Sequence, residues 1–144
     1  MPSATIEDAL VTRWNALGLN TSIATLYPGD WGAAPESSAT LPRAEYETPA
    51  DTLESQSRGS EVIEQIVQFK VWGMVRSTVR SNITTILSQF VNGDRAATNP
   101  MSLSTGTILN IDRVYGTVQK VDDKLFEGTC EIMIRWRRVA TVPA

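Results

Sequence analysis

Between Glu61 and Phe90 the spacing of apolar residues changes from two to nearly four. Val67, Phe69 and Val71 alternate with Gln68 and Lys70, the pattern of a strand with one buried face. Beyond Gly73 the apolar positions are Val75, Val79, Ile83, Ile86 and Phe90, the stripe of an amphipathic helix. The pattern therefore predicts a strand from Val62 to Trp72 feeding a helix over 74–91. That helix carries Arg76, Ser77, Arg80, Ser81, Thr84, Thr85 and Ser88 on its polar face and stops at Asn92-Gly93-Asp94. Upstream, Ile6, Leu10, Trp14 and Leu17 share one face of a helix over 5–17. Thr5 and Asp8 resemble a capping box at its start, and Gly18 suits its end.

The remaining elements read as strands. Ser22–Tyr27 forms a short one ending at Pro28-Gly29, and Leu41–Tyr46 forms another beginning beside a proline. Ile108, Leu109, Ile111, Val114 and Val118 mark a strand over 108–120. Asp122-Asp123-Lys124 turns the chain into a last strand over 129–139. In that strand Cys130, Ile132, Ile134 and Trp136 point inward, and Glu131, Met133, Arg135 and Arg137 outward. The segment 47–60 is polar and reads as a long hairpin arm or a loop, mobile in the free protein and ordered on assembly. A second polar loop covers 93–106. This order is the skeleton of a small α+β domain, and 144 residues fit one such unit.

Composition changes the picture mainly by exclusion. With 42% apolar and 20% charged residues the chain has the makeup of a soluble globular protein. No apolar run approaches the roughly 20 residues that cross a bilayer. Met1–Thr5 lacks the basic start and apolar core of a signal peptide. The net charge of −3 is unevenly spread. Residues 1–64 hold ten acidic and three basic side chains, net −7; residues 65–144 hold six acidic and ten basic, net +4. The imbalance reflects either local pairing across the fold or complementary faces suited to head-to-tail contacts between copies. Net acidity argues against general nucleic-acid binding.

Reactive chemistry is not legible. The chain has no histidine and one cysteine, which removes the commonest general base and the usual zinc and copper ligands. Cys130 reads as a small core residue. Asp122-Asp123 lacks the spaced ladder of a calcium loop, and no phosphate-cradling loop, nucleophile elbow or dinucleotide fingerprint occurs. No metal or cofactor is expected, and the reading is that the protein is not an enzyme. An enzyme would need a pocket around a perturbed carboxylate such as Glu64 or Asp112. Trp31 either folds back on the domain edge or anchors a subunit contact. Arg135, Arg137 and Arg138 around Trp136 form a solvated strand face, an ion-paired interface or a phosphate contact. Arg76 and Arg80 form a solvated helix face or a patch facing a partner.

The segments Thr40-Leu41-Pro42-Arg43-Ala44-Glu45-Tyr46, Glu64–Trp72 and Phe126–Arg135, in this order, resemble the tail terminator (tail-completion) proteins of long-tailed bacteriophages. The likeness rests on the Leu-Pro strand start, the strand-then-helix unit and the aromatic-x-Gly step before the last strand. It implies a mixed or antiparallel sheet with both helices packed on one face. It also implies a homo-oligomeric ring, a hexamer, that caps the completed tail tube and offers the surface on which the head docks. The implied partners are further copies of the chain, the tail tube protein and the head–tail connector or stopper. DNA would pass through the lumen without sequence-specific contact, and no membrane is involved. The implied location is the virion neck, assembled in the bacterial cytoplasm. The residues expected at subunit or partner contacts are Trp31, Arg43, Glu45, Glu54, Arg58, Arg76, Arg80, Arg135 and Arg137. Rival readings are a connector or stopper protein, whose family is dominated by a small β-barrel, and a small nucleic-acid-binding module.

Overall fold

The computed structural model describes residues 5–29, 41–57, 60–92, 101, 103–104 and 106–139, with the backbone alone at 49–57, 60, 92 and 139. The chain opens with helix α1 (Ile6–Ala16). The Asp8 N–H donates to Thr5 Oγ1 at 3.1 Å, so Thr5 satisfies one of the free amides at the helix start. Gly18 follows at φ 74°, a left-handed conformation that a Cβ would disfavour. A helical turn, α2 (Leu19–Ser22), occupies the start of the expected strand, which shortens to β1 (Leu26–Pro28).

Four long strands follow in two hairpins: β2 (Arg43–Ser57) with β3 (Ser60–Gly73), and β4 (Gly106–Asp122) with β5 (Leu125–Val139). The sheet order is β1-β2-β3-β5-β4, with β1 parallel to β2 and every other pair antiparallel. The fold is thus α+β with a five-stranded mixed sheet. The backbone of β2 stays paired to β3 as far as Ser57 opposite Ser60, through register shifts between Glu47 and Ala50 and between Leu53 and Ser55. Arg58 and Gly59 lie outside the described residues, as do 93–100, 102 and 105 of the second expected loop.

Helix α3 (Arg76–Leu87) starts two residues later than its apolar stripe suggests. Val75 is its extended N-cap at φ −123°, ψ 121°, and Val75 and Met74 lie exposed at the corner rather than on the buried face. A π-type turn (Ser88–Asn92) continues the helix and keeps Phe90 buried. Both helices cover the same face of the sheet. Phe69 of β3 stacks on Trp14 of α1, centroids 6.0 Å apart, and meets Phe90 at 5.2 Å. Trp14 Nε1–H donates to the Ala24 carbonyl at 2.8 Å, so its polar edge is satisfied within the core. Cys130, Ile132, Ile134 and Trp136 of β5 join this core, as the alternation predicts. Gly128 lies directly under α3. A Cβ there would stand 2.6 Å from Ile83 Cγ1 and 2.8 Å from Val79 Cγ1, so the absent side chain lets the helix sit down on β5.

Candidate interaction surface

On the face away from the helices, matched registers build rows of polar side chains across three strands. Gln68 of β3, Glu131 of β5 and Tyr115 of β4 lie side by side. Tyr115 Oη donates to Glu131 Oε2 at 3.0 Å and Gln68 Nε2 donates to the same oxygen at 3.2 Å. Two rows further along, Glu127 accepts from Trp72 Nε1 at 3.1 Å and from Gln119 Nε2 at 3.4 Å. Partial burial raises the Tyr115 pKa, with the Glu131 charge adding to it, so its hydroxyl stays protonated and donating at neutral pH. Fixed carboxylate acceptors of this kind lock strands together; they carry no nucleophile.

The outer edge of β4 has no strand beside it in the described sheet. The apolar residues that mark this strand divide. Ile108 and Ile111 are buried and Val118 is half-buried, whereas Leu109 and Val114 are exposed, Val114 by 47%; their neighbours Tyr115 and Val121 are exposed as well. The physical cause is three register shifts against β5, at Ile108/Asn110, Arg113/Tyr115 and Lys120/Asp122. Each shift reverses which residues face the core. Between α3 and β4 a groove of about 500 Å³ opens, with Ile83, Leu87, Val91 and Val118 among its apolar walls. Two cations line it, Arg80 from α3 and Arg113 from β4.

The residues expected at contacts fall in several places. Arg80 lines the groove, and Arg76, one turn earlier on α3, is exposed. Arg113 completes the groove pair without having been expected, because its role depends on a bulge that alternation alone does not reveal. Arg43 Nε donates to Glu45 at 2.9 Å, and the guanidinium lies 4.6 Å over the Tyr27 ring. Glu45 is only 2% exposed, so this pair is bound up within the β1–β2 end of the sheet. Glu54 falls at the bulge between Leu53 and Ser55 on β2. Arg135 is half-buried opposite Glu64 in register, and Arg137 is exposed. Neighbouring Arg138 forms an ion pair with Glu61, its Nε donating at 3.1 Å. Trp31 and Arg58 lie outside the described residues.

Burial pushes the Cys130 thiol up to about 12, which keeps it protonated and unreactive at neutral pH. Among the described residues no three His, Cys, Asp or Glu side chains cluster to hold a metal ion. Asp112 accepts from Asn110 Nδ2 at 2.7 Å, a local contact beside the bulge. None of these groups pairs a nucleophile with a base; what the described surface offers is an open strand edge and a cationic, apolar-walled groove.

No protein-family profile matches the sequence, and no curated protein matches it. The fold does match a solved structure, a chain from the virion of a native gene transfer agent particle. Identity is 14% and the TM-score 0.61, and the match covers 92% of this chain and 94% of the other. The likeness establishes a shared fold across nearly the whole of both chains.

Proposed function

We propose that this protein is a structural component of a virion that works at the head–tail joint, where a ring of identical copies caps the completed tail tube. The observation that carries this reading is the near-complete mutual coverage with a virion chain, at a TM-score of 0.61. The order of elements that resembles tail terminators supports it independently, since that resemblance comes from sequence alone. The architecture also favours a terminator over a stopper: among the described residues the sheet is open at both edges rather than closed into a barrel, and a 12-residue helix lies between its hairpins. Capping a tube requires a rigid body with edges that mate to copies of itself, and a sheet backed by two helices supplies both. The ring is a hexamer in this reading, its partners are the tail tube protein and the connector or stopper, and DNA passes through its lumen. No described helix is long and apolar enough to cross a membrane.

Deletion of the gene, followed by electron microscopy of the particles, tests this. Heads and tails accumulating separately, and joining again when the chain is supplied, is the expected result. Complete particles formed in its absence would remove the proposal.

A further inference from the structure

The charge imbalance along the sequence becomes spatial in the fold. The acidic half of the chain builds one side of the sheet: α1, β1 and β2 together carry Glu7, Asp8, Glu45, Glu47, Asp51 and Glu54 against Arg13 and Arg43, net −4. Helix α1 is tied to that side by Thr48 Oγ1, which donates to Glu7 at 3.1 Å. At the opposite side, α3 and β4 carry Arg76, Arg80, Arg113 and Lys120 against Asp112 and Asp122, net +2. Strand order sets these two groups at opposite ends of one sheet. Among the described residues neither Arg80 nor Arg113 has an acidic partner within ion-pair distance.

Among the described residues both ends are also open for pairing. Strand β1 covers only Ala44–Tyr46 of β2, leaving the edge from Glu47 onward free in the described sheet, and β4 is free along its outer side. β2 and β4 run in opposite directions. A rotation about an axis along the strands therefore sets β4 of one copy antiparallel to β2 of the next. The unbroken register from Tyr115 to Lys120 is the stretch of β4 regular enough to pair, while the bulges on either side discourage unselective edge addition.

Resting on the ring reading above, we infer that the α3–β4 edge of one copy receives the acidic α1–β2 edge of a second copy, with Arg80 and Arg113 in the groove as the receiving cations. The exposed side chains of Leu109, Val114 and Val121 then become the apolar part of the contact. The contact is heterologous, so each copy donates one edge and accepts at the other.

Cross-linking tests this directly. Copies carrying Asp51→Cys are mixed with copies carrying Thr117→Cys, in the presence of tail tubes, and treated with a short bismaleimide. Buried Cys130 does not compete, because it is shielded in the folded chain. A mixed dimer, absent when either variant is treated alone, is the expected product. Placing R80E and R113E in the Thr117→Cys chain lowers its yield by about tenfold or more, and R80K with R113K preserves it; circular dichroism confirms that each variant folds. Dimers from the Thr117→Cys copies alone would mean a two-fold contact and overturn the inference. Wild-type rings without the mixed product would overturn it while leaving the ring intact. A wild-type chain that stays monomeric and gives no product even with tubes present would overturn both.

Discussion

Gly128 decides how closely α3 sits on the sheet, because Ile83 and Val79 occupy the space its side chain would need. Gly128→Ala is expected to destabilise the fold by about 1–3 kcal/mol, the usual cost of overpacking. Urea unfolding measures this, and an unchanged midpoint would contradict the close seating. Cys130 gives a pH signature. Its thiol titrates near 12 in the fold, against an ordinary value of 9.0. The folded pKa is the higher one, so the unfolded chain loses its proton first as pH rises. The thiol's contribution is complete below pH 9 and is lost between 9 and 12, by no more than about 1.4 kcal/mol per pH unit. The wild-type advantage over Cys130→Ala should shrink across that window in denaturation series at fixed temperature; a constant difference would contradict the burial. Cys130 was legible as a core residue because strand alternation alone places it. Gly128 was legible only as a step in a motif, since the need for a glycine arises from a helix packed across strands.

Among the elements, legibility follows the strength of local periodicity. Helix α1 matches its expected stripe, cap and glycine stop, because each signal lies within one turn of the next. The strand over 62–72 and the inward set on β5 hold for the same reason. The apolar spacing starts α3 too early because Val75 fits the helical period, yet its backbone is extended at the corner. β4 was legible as a strand but not as a surface. Its bulges reverse side-chain parity, so the exposure of Leu109 and Val114 and the position of Arg113 depend on pairing with β5. Phe69 links the two helical regions on the sheet, touching Trp14 of α1 on one side and Phe90 of the π-type turn that continues α3 on the other. Phe69→Ala should cost about 3–5 kcal/mol and loosen α1 and α3 together. Hydrogen exchange reads this as a shared loss of protection; loss confined to one helix would show that they are anchored separately.

At the scale of the whole molecule, the decisive property is a sheet whose two ends carry opposite charge and whose strand edges are unpaired among the described residues. Isolated, such a sheet invites association; joined to further copies, it is covered on both sides. Assembly held by these edges should weaken as salt rises, because the screening length falls from about 10 Å at 0.1 M to about 3 Å at 1 M. Light scattering over a salt series should record smaller particles at the high end, and an average mass independent of salt would point to a contact dominated by apolar burial. The function proposed here depends on self-association at one place on the particle, and imaging tests that most directly. Purified chain is added to tails that lack it, and the tails are examined by electron microscopy. A single ring of new density at one end of each tube is the predicted result; tubes with bare ends, or density scattered along the shaft, would contradict it.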